Sequence, residues 1–342
     1  MTKNGGRSSA VNTGVTTLEA MASYAPERRV PIEDLVDRLG LRRTKLRLFQ
    51  RVHGLKEIRF DPELSLFDVV LPAARRVVAD ESTASRVRHV LYAHTTQAVT
   101  PAHVDPAREI RDRLGLHRAE AFGLGHQNCA SGMAAVDVAG ELLRAEGRPG
   151  DCALVVTGEQ AFSPKIQLIE DVAIMGDAAA ACLVTLDGAG DAVRSYVTGT
   201  MGEFSAAMLL DEERSLRFSK VYAPELAKVM RRAVAAAGLE FADIDLVVPH
   251  NVNLQSWRQT INELGIPRAQ VFLENVERFS HCFASDVFLN HTTLREAGRL
   301  VPGRHYLFAT VGLGATFAAM VITHGASATP AGTERKAGRE AA

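Results

Sequence analysis

Cys129 stands in Gly125-His126-Gln127-Asn128-Cys129-Ala130-Ser131-Gly132-Met133, where a small-residue turn runs into apolar positions at Met133, Val136, Leu142 and Leu143. That spacing is helical, so the thiol is expected at or near a helix N-terminus. Unpaired backbone N–H groups and the positive end of the helix dipole favour a thiolate there. The thiolate is the form that does covalent catalysis. A free cysteine is otherwise most often a small buried hydrophobe. Cys152 and Cys182, in apolar strand contexts, are read that way.

His250 follows two valines and a proline in Val247-Val248-Pro249-His250-Asn251-Val252-Asn253-Leu254. Ligand-facing groups of open α/β sheets lie on such loops beyond the carboxyl ends of strands. A neutral imidazole there can donate to a developing oxyanion; a surface-loop histidine is the plainer meaning. His281, in Phe279-Ser280-His281-Cys282-Phe283-Ala284-Ser285-Asp286, again precedes a helical pattern. The intervals of five between His281, Asp286 and His291 do not share one helix face, so no metal site is expected. Gly312-Leu313-Gly314-Ala315-Thr316 lies between two apolar strands. It reads either as a hairpin turn or as a place where a freed N–H points at a substrate oxygen. It does not match a dinucleotide or P-loop fingerprint.

These residues need a scaffold. Short apolar runs at Val90–Ala93, Ala153–Thr157, Ala181–Leu186, Leu246–Val248, Tyr306–Val311 and Phe317–Thr323 suit strands buried on both faces. Helical patterns cover Pro62–Asp80, Gly132–Glu146, Pro224–Ala237, Leu254–Leu264 and Asp286–Glu296. The alternation predicts α/β layers with a largely parallel sheet. Residues 1–13 and 324–342 are polar and small, and are expected to be disordered. Turn chemistry at Asp187-Gly188-Ala189-Gly190-Asp191 divides the remainder into 14–190, carrying Cys129, and 191–323, carrying the histidines.

Composition is that of a globular protein, with 46% apolar and 23% charged residues. The 39 basic and 40 acidic side chains leave no global field to gather nucleic acid. Four cysteines without C-x-x-C pairs argue against a disulfide scaffold or a structural zinc. No secretory h-region and no run of 18 uncharged apolar residues is present, so a cytoplasmic protein with no membrane span is expected.

Taken together, the four segments resemble the thiolase superfamily, and most closely the β-ketoacyl-acyl carrier protein synthase III branch. Cys129 matches the family's acyl-accepting cysteine. Met175-Gly176-Asp177-Ala178-Ala179-Ala180-Ala181 resembles its G-D-G-A-G-A segment, and Pro249–Leu254 its P-H-Q-A-N motif. Asn275-Val276-Glu277-Arg278-Phe279-Ser280-His281 resembles the segment ending in its catalytic Asn. Gly312–Thr316 resembles its terminal Gly-rich motif. The resemblance spans about Val15 to Thr323. It implies a five-layered αβαβα fold of two related halves, and a homodimer. It implies acyl transfer from a coenzyme A or acyl carrier protein thioester to Cys129, with no metal or redox cofactor. The backbone N–H groups of Cys129 and Gly314 would form the oxyanion hole. Decarboxylation of a malonyl thioester, supported by His250 and His281, would then supply a carbon nucleophile. Asn253, Asp286, Trp257 and Arg258 are the expected substrate-binding residues.

The departures carry information. His281 replaces the family's Asn and can donate or act as a base. Gln255 stands where an Arg is common. Gln127 and Asn128 are polar where small apolar residues are usual, which suggests an altered pocket wall. Asp286 replaces a small residue; it could orient His281, bind a basic acceptor, or be a helix-start acid. The basic segment Leu39–Lys56 (Arg42, Arg43, Lys45, Arg47, Arg51, Lys56) could meet coenzyme A phosphates or an acidic carrier, or be a solvated helix face. Decarboxylative condensation in specialised metabolism is narrowly preferred. The alternatives are acyl transfer to a hydroxyl, an amine or another carbon nucleophile, and a non-catalytic partner subunit.

Overall fold

The computed structural model describes residues 13–325. Residues 1–12 and 326–342, most of the two expected tails, lie outside them. The C-terminal boundary is corrected: His324 and Gly325 are placed, held by hydrogen bonds to Asp191 at 2.6 and 3.0 Å.

Nine strands form the main sheet: β1 Thr16–Tyr24, β2 Val87–Ala93, β3 Glu120–Leu124, β4 Cys152–Glu159, β5 Ala178–Leu186, β6 Asp191–Thr200, β7 Ile244–Pro249, β8 His305–Gly312 and β9 Thr316–Thr323. Helices of eight residues or more are α1 Arg43–Arg51, α2 Leu66–Val77, α3 Pro106–Arg113, α4 Ser131–Glu146, α5 Glu212–Ala236, α6 Leu254–Leu264 and α7 Asp286–Glu296. The strand order is β7-β8-β9-β6-β1-β5-β4-β2-β3. β1 and β6 pair only at Thr17–Ala192 and Leu18–Asp191, so this seam joins two sub-sheets.

The two sub-sheets repeat one plan. In the first, β1 is antiparallel to β5, β5 antiparallel to β4, and β4 parallel to β2. In the second, β6 is antiparallel to β9, β9 antiparallel to β8, and β8 parallel to β7. The parallel neighbour β3 has its counterpart in a single parallel bridge between Val247 and Val271. The sheet is therefore mixed, not largely parallel. The short β8–β9 hairpin forces an antiparallel pair, and β1, inserted between β5 and β6, runs antiparallel to both.

Strand periodicity builds the layers. Val90, Tyr92, Leu154 and Val156 face an outer core under α2 and α3. The alternate residues Leu91, Ala93, Ala153 and Val155 face a central core with Met133, Val136, Val287 and Phe288. Tyr306, Phe308 and Met320 reach that central core from the second sub-sheet. Their neighbours Leu307, Ala309 and Ala319 face the other outer core, under α5 and α6. Helices α4 and α7 thus lie between the sub-sheets, and the fold is the five-layered αβαβα thiolase-like arrangement.

The strands missed by sequence are β1, β3 and β6. β1 and β6 meet at the seam, carry polar residues such as Glu19 and Arg194, and each has a register irregularity. β3 is a half-exposed edge strand. Helix α5 starts twelve residues before Pro224, capped by Asp211, and runs through the proline. Pro224 had been expected to start it, as prolines often do.

Gly132 sets the closeness of the central layer. A Cβ there would lie 2.8 Å from the Ala284 carbonyl and 2.8 Å from the Phe288 ring. Gly132→Ala should therefore cost about 1–3 kcal/mol by overpacking, read as a lower urea midpoint with an unchanged slope.

Candidate active site

The segment after β3 turns sharply. Asn128 has φ 49° and opens a 3-10 turn, Asn128–Ala130, that leads into α4. Such a conformation is uncommon for a residue with a side chain and recurs at functional sites. Asn128 Nδ2 donates to the Leu313 carbonyl, which ties this turn to the β8–β9 loop. Gly312 lets the two backbones touch, because a Cβ there would collide with the Gln127 carbonyl. Cys129 is buried in this turn, two residues ahead of α4. Neither its N–H nor that of Gly314 donates to an acceptor among the described residues.

His281 arrives from the other half. It follows the short helix Val276–Phe279 and Ser280, whose φ is 55°. The Met175-Gly176 backbone braces it: Gly176 N donates to the His281 carbonyl at 2.9 Å, and Met175 bridges His281 in parallel. His281 Nε2 lies 3.2 Å from Cys129 Sγ, and Nδ1 lies 2.5 Å from Asp286 Oδ2. A carboxylate accepts, so Nδ1 carries a proton and Nε2 faces the sulfur. Burial opposes charge on this ring, but the Cys129 sulfur and then the Asp286 carboxylate outweigh it, pushing His281 up to about 10.

Asp286 is the first residue of α7 and is buried. It accepts from Asn251 N at 2.6 Å, Cys282 N at 2.8 Å and Asn251 Nδ2 at 3.3 Å, besides His281. Of its three sequence meanings, the structure selects orientation of His281. The carboxylate sits behind the imidazole and does not line the cleft.

His250 ends β7. Its backbone N and its Nδ1 both point at the Ala309 carbonyl, at 3.0 and 3.4 Å. Its Nε2 lies 2.9 Å from the Tyr222 hydroxyl. Burial, then the nearby His281, hold its pKa down to about 3, so the ring is neutral. The two imidazole centroids are 5.8 Å apart. Tyr222 was not singled out from sequence. It lies mid-helix in α5 with no motif around it, so no local signal marked it.

Cys129, His250, His281 and Tyr222 line one cleft of about 1020 Å³. Lys165, Asp171, Met208 and Leu209 line it as well. Lys45 of α1 pairs with Asp171, which brings the basic helix to the cleft edge. Thr95 Oγ1 is 3.9 Å from Cys129 Sγ, and its loop is held by Glu159, which accepts from Thr95 N and Thr96 N at 2.5 and 2.6 Å. Burial pushes Glu159 up to about 7.

Three expected substrate-binding residues lie elsewhere. Asn253 caps α6, accepting from Ser256 N at 2.7 Å and donating to the Val172 carbonyl at 3.0 Å. Trp257 is buried behind His250, its indole N–H on the His250 carbonyl at 2.8 Å. Arg258 is exposed and bonded to Gln255, because helix rotation turns Ser256 and Gln259 to the cleft instead. Gln127 and Asn128 do not line the cleft; Asn128 is spent on Leu313.

His291 joins neither His281 nor Asp286. With His324 it meets Asp191, at 2.7 and 2.6 Å, a set that could hold a metal. Its Nδ1 is buried without a partner among the described residues. A metal-bound histidine needs an acceptor there, so the cluster is read as a hydrogen-bonded clip.

Residues 234–324 match the family described as 3-oxoacyl-[acyl-carrier-protein (ACP)] synthase III C terminal. A β-ketoacyl-[acyl-carrier-protein] synthase III of Mycobacteroides abscessus is 27% identical over 329 residues, covering 89% of this chain and 94% of that protein. Among solved structures, the ChlB3 acyltransferase superposes with TM-score 0.80 at 20% identity, over 92% of this chain and 99% of that one. The synthase III of Pseudomonas aeruginosa gives TM-score 0.75 at 21% identity, over 92% and 100%.

Alkylation of Cys129 by iodoacetamide should depend on the imidazole that lies 3.2 Å from its sulfur. In His281→Ala it should fall about 10–30-fold at pH 7 and rise with pH, because an unassisted thiol is only a few per cent thiolate there. Rates followed by intact mass check both.

Proposed function

We propose that this β-ketoacyl-acyl carrier protein synthase III-like protein of the thiolase superfamily takes an acyl group onto Cys129 and hands it to a hydroxyl or amine of a second substrate. One observation carries the reading: the buried line from Cys129 Sγ through His281 to Asp286. It has the parts of a nucleophile, a base and a group that fixes the base's tautomer.

In the first half-reaction, the Cys129 sulfur attacks the carbonyl of an acyl thioester while the imidazolium of His281 holds the proton on Nε2. The developing oxyanion would be met by the Cys129 and Gly314 N–H groups, each such donor being worth about 3–4 kcal/mol. The carrier thiolate leaves and takes the proton from Nε2. In the second, Nε2 accepts the proton of the incoming hydroxyl or amine as its oxygen or nitrogen attacks the acyl carbon. The Cys129 sulfur then leaves as the thiolate, with that proton held on Nε2. Nδ1 remains on Asp286 throughout, so Nε2 is bare whenever the ring is neutral, as a base requires.

Decarboxylative condensation, the narrow preference from sequence, is the second reading. It is supported by the neutral His250 beside the nucleophile and by the synthase III relatives. The tautomer that Asp286 enforces turns the neutral Nε2 of His281 into an acceptor, which favours direct transfer. For the donor, the exposed arginines of α1 beside the cleft edge support a coenzyme A or acyl carrier thioester. A homodimer and a role in specialised metabolism belong to the same proposal. The complete relay speaks against a purely non-catalytic partner.

Incubation with a panel of acyl-coenzyme A and acyl-carrier thioesters should add one acyl mass to the protein, and none to Cys129→Ala. Asp286→Asn, which keeps the shape but not the tautomer, should load about 10³–10⁴-fold more slowly. Loading at the wild-type rate in that variant would remove the relay from the mechanism.

A further inference from the structure

The second histidine is not free to act as its neutral ring would suggest. The Ala309 carbonyl can only accept, so His250 Nδ1 carries the ring proton. The neutral ring then has a bare Nε2, and the bond at 2.9 Å must be donated by the Tyr222 hydroxyl. Tyr222 is buried deep enough that its phenol stays protonated, its pKa raised by burial. Its ring is fixed edge-on against Phe218 and Phe317, with centroids 5.8 and 6.1 Å away. With its one proton committed to His250, the hydroxyl presents lone pairs to the cleft that it lines with Cys129.

Loss of carbon dioxide from a malonyl thioester puts negative charge on the thioester oxygen, and that charge needs N–H or O–H donors. A bare Nε2 covered by a phenol offers none. A lone pair beside the acyl-cysteine instead receives the N–H or O–H of a neutral nucleophile. We propose that Tyr222 is the residue that decides the second substrate: it locks His250 in the Nδ1–H tautomer and positions a hydroxyl or amine acceptor, excluding a malonyl thioester. This rests on the acyl-Cys129 reading above.

The test is Tyr222→Phe, which keeps the ring and its aromatic contacts and removes only the hydroxyl. The Ala309 carbonyl keeps its bond from the His250 backbone N–H. The imidazole is therefore free to move its proton to Nε2 when an oxyanion forms. Carbon dioxide release from carboxyl-labelled malonyl-coenzyme A is read per acyl-Cys129 formed, which removes any effect on loading. That ratio should be at background in the wild type and rise at least about tenfold in the variant. Imidazole ¹⁵N spectra, with His250→Gln for assignment, should show wild-type His250 protonated at Nδ1. A ratio unchanged by Tyr222→Phe, or a wild-type His250 protonated at Nε2, overturns the assignment. If no donor loads Cys129, it is the acyl-transfer reading that fails, and the spectra alone then decide for or against the tautomer lock.

Discussion

A single buried carboxylate organises this site. Asp286 has left water behind, and an unpaired charge in that position would be costly. Four donors surround it: the imidazole of His281, the side-chain amide of Asn251, and the backbone N–H groups of Asn251 and Cys282. Those donors come from the two segments that carry the histidines, so satisfying one charge places both rings. The chain of buried polar groups continues outward. Asn290 Nδ2 donates to Asn251 Oδ1 at 2.8 Å and to the Pro249 carbonyl at 2.7 Å, and Asn275 Nδ2 donates to Asn290 Oδ1 at 2.8 Å. The residues before and after His250 are thereby fixed. Such a network specifies one arrangement because every broken link strands a polar group in low dielectric.

Helix α7 carries this network because it is buried on nearly every side between the sub-sheets. A helix in that position is usually apolar all round, yet this one holds Asp286, Asn290, His291 and Thr292. Each has an assigned partner. At the turn nearest Cys129, Asp286 serves the chemistry. Further along, His291 reaches Asp191 at the β1–β6 seam, and His324 closes the same carboxylate from the end of β9. The helix is thus pinned to the site at one end and to the seam in its middle, which leaves His281 little freedom to drift from Cys129.

Much of this was legible in the sequence because the signals were local. The runs of β2, β4, β8 and β9 are apolar on both faces, and α6 and α7 were bounded to the residue. Cys129 was marked by a small-residue turn before a helical pattern, His250 by the two valines and the proline before it, and His281 by the helical pattern that follows it. What stayed open, was misread or was missed depended on how the chain packs. Asp286 had three meanings in the sequence, and only the folded path back to His281 selects one of them. Trp257 and Asn253 sit in the right motif, but helix rotation and capping turn them from the cleft. Tyr222 lies within α5, whose start was misplaced, and acquires meaning only when α5 packs over β8 and β9. The seam strands β1 and β6 mix polar and apolar residues because each is an edge of its own sub-sheet.

The two halves also explain why nucleophile and base face one another. Asn128 and Phe283, with φ of 49° and 54°, each open a 3-10 turn that feeds a central helix. By that correspondence Cys129 matches Ala284, and Gly132 of the first half touches the Ala284 carbonyl of the second. The two equivalent turns are packed together, and they divide the work. The first half keeps the thiol at the turn itself. The second has a methyl group there and supplies its function from three residues upstream, where His281 reaches across to Sγ and back to Asp286.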